Sequence, residues 1–212
     1  MPVRAGPGKR GRLIFALDAT ASRQPTWDQA CGIQGDMFRA ADEMGGLEVQ
    51  LCFYRGYGEF GVSPWYASSD DLVRRMTSVF CLGGLTQIGK VLRHALAEAR
   101  KSKVHALVFI GDCVEEKPDR LCHLAGQLGI LGVPAFLFYE GRDPKTIRVF
   151  RQLARLTRGA ACPFDLGSSG QLRDLLSAVA VYATGGWPAL ERFSDGKQGP
   201  VKQLTSQLDP GR

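Results

Sequence analysis

Short apolar runs alternate along the chain with segments whose apolar residues recur every three or four positions. The runs have the length of buried strands, and the recurring positions are typical of helices that cover one face of a sheet. The predicted strands comprise residues 13–17, 47–54, 104–110, 133–139 and 160–166. The predicted helices carry their apolar positions within residues 30–44, 72–80, 88–99, 121–128, 147–154 and 172–179.

Strands separated by helices predict β-α-β units and a parallel sheet. In residues 47–54 Leu47, Val49, Leu51 and Phe53 alternate with Glu48, Gln50, Cys52 and Tyr54, which predicts that one face of this strand is less buried than the other. Residues 56–65 are typical of a turn and a short strand, and Pro64 suits an edge position. The expected fold is therefore α/β, a doubly wound, mostly parallel sheet with helices on both faces and one antiparallel edge strand.

Composition divides the chain into three predicted parts. Residues 1–11 are rich in Gly, Pro and Arg and predict a basic, flexible arm. Residues 12–183 carry the strand and helix pattern of one domain. Residues 184–212 contain several Gly and Pro residues and predict a C-terminal tail that is mobile or loosely docked.

The net charge of +6 is concentrated at one end of the chain. The first 12 residues hold four basic side chains and no acidic one, so the remainder of the chain contributes +6 − 4 = +2. A solvated basic arm on a nearly neutral domain argues against nucleic acid as the partner. No apolar run approaches the roughly 18 residues of a membrane span. The six scattered cysteines favour free thiols in a reducing cytoplasm over a disulfide framework.

Oxygen-bearing side chains follow the ends of two predicted strands. Asp18-Ala19-Thr20-Ala21-Ser22 comes after the first strand, Asp112 after the strand 104–110, and Thr86 after Gly83-Gly84. Ligands of parallel sheets bind beyond the carboxyl ends of the strands, so we expect these side chains to meet there. Carboxylate and hydroxyl oxygens suit Mg²⁺ or Mn²⁺ better than zinc or copper. The alternative interpretation makes them turn and helix-capping residues without a metal.

These motifs, in this order, resemble the metal-ion-dependent adhesion site of von Willebrand factor type A domains, and the resemblance covers roughly residues 12–183. It implies that the hydroxyls of Thr20, Ser22 and Thr86 hold Mg²⁺ and that Asp18 and Asp112 bind it directly or through water. It also implies that an acidic group of a partner protein fills the open position of the ion. The sequence departs from the common pattern twice. Thr20 stands where Ser is commoner, and Cys113 follows Asp112 where Gly is frequent.

The favoured function is a cytoplasmic, non-enzymatic interaction module with Mg²⁺, or Mn²⁺, as its ion and with no catalytic residues. The alternative is a metal-dependent phosphatase or hydrolase that uses Asp18 and Asp112. Phosphatases of the haloacid-dehalogenase type place a second Asp two residues after the first, and Thr20 occupies that position here. A structural role without metal is a third interpretation.

Two further features accompany Asp112. Cys113 is a weak candidate nucleophile, because no histidine falls at a predicted strand end. Glu115 and Glu116 are expected to begin the next helix, where they favour its dipole, and an outer-shell charge beside the ion is the alternative role.

Overall fold

A computed structural model describes residues 10–42, 44–165, 167 and 170–208. The strands are β1 (Gly11–Asp18), β2 (Leu47–Arg55), β3 (Glu59–Tyr66), β4 (Ala106–Gly111), β5 (Ala135–Tyr139) and β6 (Ala160–Pro163). The helices are α1 (Gln24–Asp42), α2 (Ser69–Thr77), α3 (Ile88–Lys101), α4 (Pro118–Ile130), α5 (Pro144–Thr157), α6 (Gln171–Ser194) and α7 (Pro200–Leu208). A short 3₁₀ helix, Ala21–Arg23, precedes α1.

The strands form one sheet in the order β3-β2-β1-β4-β5-β6. All neighbours are parallel except β3, which runs antiparallel to β2 at the edge. This architecture confirms the predicted mostly parallel α/β fold with one antiparallel edge strand. From β1 the chain proceeds to β2 on one side and later to β4 on the other, so the strand order reverses between β1 and β4. A cleft opens at the carboxyl ends of the strands at such a point.

Two apolar layers cover the sheet, and β1 contributes alternate residues to each. Leu13, Phe15 and Leu17 pack into the layer formed with α1, α6 and α7. Ile14 and Ala16 pack into the layer formed with α3, α4 and α5. Because successive side chains of a strand point to opposite faces, a continuous apolar run is what a strand covered on both sides requires.

The strand β2 is buried on both faces, contrary to the alternation of its sequence. Gln50, Cys52 and Tyr54 are all buried. The Gln50 Oε1 atom lies 2.8 Å from Nε2 of His94, so α3 covers this face and supplies a polar partner. The prediction of one less buried face is therefore wrong, because polar residues in a strand are buried readily when a neighbouring helix satisfies their hydrogen bonds.

Most of the segment between residues 185 and 208 is helical, with a turn over residues 195–199 between α6 and α7. Helix α6 crosses the start of this segment and kinks at Gly186, whose φ of 68° is left-handed. Leu204 of α7 is fully buried, and the Gln207 side chain bonds both the N–H and the C=O of Ala161 on β6. The loosely docked tail expected from composition is instead packed, and Gln207 satisfies part of the open edge of β6. Residues 1–9 of the predicted arm and residues 209–212 lie outside the described residues.

None of the helices in the described ranges combines the length and the apolar character that crossing a membrane demands.

Candidate metal centre

The two candidate carboxylates leave adjacent strands at the same edge of the sheet. Leu17 of β1 pairs with Ile110 of β4, so the next residues of the two strands, Asp18 and Gly111, lie side by side. Asp112 follows Gly111 in the chain. The Cβ atom of Asp18 lies 3.8 Å from the point that a Cβ on Gly111 would occupy. The register of β1 and β4 therefore brings Asp18 and Asp112 to one end of the sheet, at the point where the strand order reverses.

Asp18 is a buried carboxylate held by neutral donors. It is only 3% exposed. The Thr20 backbone N–H donates to its Oδ1 over 2.8 Å, and the Tyr54 hydroxyl donates to its Oδ2 over 3.0 Å. Among the described residues, no Lys, Arg or His forms an ion pair with it. Burial raises the pKa of Asp18 above its ordinary value, hydrogen bonds from Thr20 and Tyr54 offset part of that rise, and the charge of Asp112 adds to it.

Asp112 has a cationic partner that the sequence motifs do not include. The Arg23 Nη2 atom lies 3.2 Å from Oδ2 of Asp112, and its Nη1 lies 2.6 Å from Oε2 of Glu140. Nη1 also lies 3.3 Å from the Thr26 hydroxyl. The Nε atom of Arg23 is buried without a hydrogen-bond acceptor among the described residues. A tethered positive charge therefore balances Asp112 and leaves Asp18 unbalanced.

Thr86 is fixed by a reciprocal pair of hydrogen bonds to Glu115. The Thr86 N–H donates to Oε2 of Glu115 over 2.7 Å, and the Glu115 N–H donates to the Thr86 hydroxyl oxygen over 3.1 Å. The Thr86 hydroxyl is thus already an acceptor. Its second lone pair and its own proton remain available to a further partner.

The two glutamates after Asp112 do not begin the helix that follows them, and Glu116 stabilises the start of α3 instead. Glu116 accepts from the Gly89 N–H in the first turn of α3, at 3.0 Å and 3.2 Å for its two oxygens. Helix α4 begins only at Pro118, with Lys117 at its N-cap. The prediction that these acids begin the next helix is wrong. The first N–H groups of α3, which have no acceptor within their own helix, lie beside Glu116 in space. A helix N-terminus attracts the nearest carboxylate whatever its position in the chain.

The remaining candidate ligands belong to loops that are joined by backbone hydrogen bonds. The Leu82 N–H donates to the Ala19 carbonyl over 3.0 Å, which ties the loop of Thr86 to the loop of Asp18. Thr20 is nearly buried and takes the N-cap position of the 3₁₀ helix, but its side chain makes no capping hydrogen bond. Ser22 is exposed within that helix. The capping role of the alternative interpretation is therefore not filled by Thr20.

The donor chemistry of this edge fits a hard divalent cation. It offers carboxylate and hydroxyl oxygens, and the buried charge of Asp18 lacks a cation to balance it. Across the described parts of the chain, no three His, Cys, Asp or Glu side chains cluster closely enough to hold a metal ion. A metal site here consequently depends on hydroxyl ligands. It also depends on whether the ion pair between Arg23 and Asp112 opens when the metal binds. The joint ligation of one ion by Asp18, Thr20, Ser22, Thr86 and Asp112 stays a prediction.

Sequence reasoning missed three residues that shape this site, Arg23, Tyr54 and Glu140. One local signal existed for Arg23, since a basic residue directly follows the Asp18–Ser22 motif and its charge competes with any cation bound there. Tyr54 becomes a partner of Asp18 only through the pairing of β1 with β2. Cys113 is exposed, but its thiol is partly shielded from water. This partial desolvation, together with the charges of Glu115 and Asp112, raises the pKa of the thiol and disfavours a reactive thiolate.

Comparison of the sequence with family models and with curated proteins gives no match. Solved structures do match the fold. A von Willebrand factor type A protein from Catenulispora acidiphila superposes with a TM-score of 0.68 at 13% identity, covering 83% of this chain and 43% of its own. The VWA domain of SpRpn10 gives a TM-score of 0.60 at 12% identity, covering 84% of this chain and 98% of its own.

A third structure, proximal thread matrix protein 1 from the mussel byssus with a zinc-occupied MIDAS motif, gives a TM-score of 0.59 at 15% identity. The matched part covers 82% of this chain and 46% of that one, so the chain spans less than half of two of these three proteins. At such identities the likeness concerns the fold. The chain therefore has the fold of a von Willebrand factor type A domain, which confirms the prediction from its motifs.

Proposed function

We propose that this protein is a non-enzymatic interaction module that binds an acidic group of a partner protein through a Mg²⁺ ion at the carboxyl edge of its sheet. The observation that carries the proposal is Asp18, a buried carboxylate without a cationic partner among the described residues. It lies beside Asp112 where the strand order reverses. Buried carboxylates with a raised pKa in a cleft are candidates for functional sites.

Each candidate ligand would have a distinct role toward the ion. Asp18 supplies a fixed negative charge, because Thr20 and Tyr54 hold its two oxygens in place. Thr86 is positioned by Glu115, and the exposed Ser22 is free to turn toward the cleft. When bound, a divalent ion balances the carboxylates and offers an open position to an oxygen ligand from outside.

Arg23 sets the condition under which Asp112 takes part. Its guanidinium already neutralises Asp112 and is shared with Glu140. A bound divalent ion would either leave this pair intact, with Asp112 reaching the ion through water, or draw Asp112 away and leave Arg23 on Glu140. We expect the second arrangement, since two positive charges close to one carboxylate repel each other.

The non-enzymatic part of the proposal rests on the chemistry that surrounds Asp18. Thr20 occupies the position where a phosphatase of the haloacid-dehalogenase type carries its general acid. The raised pKa of the Cys113 thiol disfavours the other nucleophile at this edge. The six cysteines are free, which agrees with the reducing, cytoplasmic location that we propose.

The test is a calorimetric titration of the protein with Mg²⁺ and with Mn²⁺. We expect one site per chain in the wild type and its loss in Asp18→Ala and in Asp112→Ala. Glu98→Gln is the matched control. Glu98 is a carboxylate that accepts hydrogen bonds from Trp65 and Lys101, and it lies in the C-terminal half of α3, away from the cleft. Absence of binding in the wild type, or equal binding in Asp18→Ala, would overturn the proposal.

A further inference from the structure

Large apolar side chains stand exposed next to the candidate metal site. Tyr57 is 88% exposed, Phe80 71%, Leu82 47% and Leu85 50%. We call these four residues the apolar rim. Three of them lie in the segment 80–85, which ends directly before the candidate ligand Thr86. The fourth lies in the turn between β2 and β3.

Backbone contacts hold the apolar rim in a fixed position. The Leu85 N–H donates to the Gly56 carbonyl over 3.2 Å, and the Arg55 Nη1 donates to the Phe80 carbonyl over 2.6 Å. Gly84 lies so close to Gly56 that a Cβ would come within 2.0 Å of the Gly56 oxygen, so only glycine fits there. The turn carrying Tyr57 and the segment carrying the other rim residues therefore form one surface.

The same surface continues into the loop that follows β1. The Leu82 N–H donates to the carbonyl of Ala19, the residue between Asp18 and Thr20. Segment 80–86 itself contains no charged side chain. Two basic groups lie beside it: Arg55 is paired with Glu59 at 2.7 Å, and the Lys90 Nζ donates to the Gly58 carbonyl over 2.6 Å. Segment 80–86 therefore adds no negative charge that would repel an incoming carboxylate, and the nearby Glu59 is paired with Arg55.

Single exposed apolar residues are ordinary, but a group of them beside a polar cleft is typical of an interaction surface. Covering such residues with a partner lowers the free energy of the complex, and contacts around a central anchor exclude water from it. The rim residues have this arrangement around the cleft, because their loop is bonded to the loop of Asp18.

We propose that the apolar rim and the candidate metal site form one recognition surface for a protein segment whose carboxylate is flanked by large apolar side chains. This inference rests on the proposed function, because the carboxylate is bound through the ion. The metal ion binds the carboxylate itself. The apolar rim selects those carboxylates that have large apolar side chains next to them in the partner segment.

The test begins with a library of random peptides displayed on phage and selected on the wild type in Mg²⁺. We expect enriched peptides to carry Asp or Glu within three residues of Leu, Ile, Phe or Met. Fluorescence polarisation of a synthetic enriched peptide then gives its affinity for each variant. The double variant Phe80→Ser, Leu82→Ser should bind at least tenfold more weakly while its Mn²⁺ affinity, measured by calorimetry, stays unchanged. Ile130→Ser is the matched control, since Ile130 is 86% exposed at the end of α4.

The outcomes separate this inference from the function on which it rests. Absence of Mn²⁺ binding in the wild type overturns the proposed function. Normal Mn²⁺ binding with no enriched peptides, or with peptides whose affinity the rim variant does not change, overturns the inference alone. Light scattering that shows self-association of the wild type in Mg²⁺, lost in the rim variant, would also overturn it in favour of a second copy as the occupant.

Discussion

The two ends of the sheet differ in whether their buried acidic side chain has a cationic partner. At the amino end, the Arg12 guanidinium stacks 3.9 Å from the ring centroid of Trp65 and lies 4.0 Å from Glu98. Glu98 also accepts from the Trp65 indole N–H at 3.1 Å and from Lys101 at 2.7 Å. At the carboxyl end, Asp18 has two neutral donors and, among the described residues, no cationic partner. The acidic group of the amino end is paired with basic side chains, whereas at the carboxyl end Arg23 pairs with Asp112 and Glu140 and leaves the charge of Asp18 unbalanced.

The pKa values of the two carboxylates move in opposite directions as a result. Burial raises the pKa of Glu98, but hydrogen bonds from Lys101 and Trp65 outweigh it, so the net pKa is lowered. The pKa of Asp18 is raised, because burial outweighs the hydrogen bonds from Thr20 and Tyr54. A carboxylate with a lowered pKa stabilises the fold at neutral pH, whereas one with a raised pKa destabilises it until a cation arrives.

The largest expected effect is that of the divalent ion on the thermal stability of the wild type. At a hundredfold excess over Kd, binding adds about 2.7 kcal/mol to the free energy of unfolding. For a chain of this size that corresponds to a rise in Tm of about 5 to 10 °C. Differential scanning calorimetry in millimolar Mg²⁺ or Mn²⁺ measures it, and Ca²⁺ should raise Tm less because it is larger. Asp18→Ala and Asp112→Ala should abolish the rise. In EDTA Asp18→Ala should match or exceed the wild type, whereas Asp112→Ala should be less stable because Arg23 loses an ion-pair partner.

The same scans decide between a metal site and a set of turn residues. A wild-type Tm that does not change across the millimolar range of Mg²⁺ would favour the capping interpretation of Asp18, Thr20 and Ser22.

The second effect comes from Arg23→Met. In EDTA this variant should lose about 2 kcal/mol of stability, because Glu140 loses a charged hydrogen bond and Asp112 loses its ion pair. Its Mg²⁺ affinity should rise several-fold, because no guanidinium then competes for Asp112. Urea unfolding and calorimetric titration measure the two quantities. Arg39→Met is the control, since Arg39 forms an exposed pair with Asp36 and should change the stability by less than about 0.5 kcal/mol. Weaker Mg²⁺ binding in Arg23→Met would show that Arg23 supports the site.

A third, smaller effect is the pH dependence of Asp18→Asn in EDTA. Because the folded-state pKa of Asp18 is raised above 3.8, the folded protein holds this proton more tightly than the unfolded chain does. Wild-type stability should therefore contain a part that falls as pH rises from about 3.8 through the raised pKa, and Asp18→Asn should lack it. Urea unfolding between pH 3.5 and 7, in steps of about half a unit, measures the difference. A parallel pH profile for the two proteins would contradict the unbalanced charge of Asp18.

The smallest effect belongs to Glu98→Gln at the amino end. The lowered pKa of Glu98 gives stability that is present above pH 4.5 and is lost as pH falls through the folded-state pKa, the reverse of the Asp18 contribution. At pH 7 the variant should lose less than about 1 kcal/mol, because glutamine keeps an acceptor for the Trp65 N–H. Its Mg²⁺-dependent rise in Tm should equal that of the wild type. A smaller rise in Tm than in the wild type would mean that the ion stabilises the protein through groups outside the carboxyl edge of the sheet.

The order of strands and helices and the edge that carries the candidate site were predictable from the sequence. Periodicity is a local property, and the runs 13–17 and 104–110 differ from their surroundings in length and apolar content. Parallel strands joined by helices place all their carboxyl ends together, so Asp18 and Asp112 had to share an edge. The oxygen chemistry of that edge follows from the residue types alone.

Only the tertiary structure decided which charges are paired. Arg23 meets Glu140 across 117 positions of the chain, and Glu115 meets Thr86 across 29. Burial of Gln50, and of Leu204 in a segment predicted to be loose, likewise required the covering helix or layer to be in place. The physical reason is that the spacing of apolar residues and the composition of a segment determine whether it forms a strand or a helix and which side packs against an apolar layer. The partner of a long polar side chain depends instead on the path of loops that lie far apart in sequence, and no local pattern encodes that path.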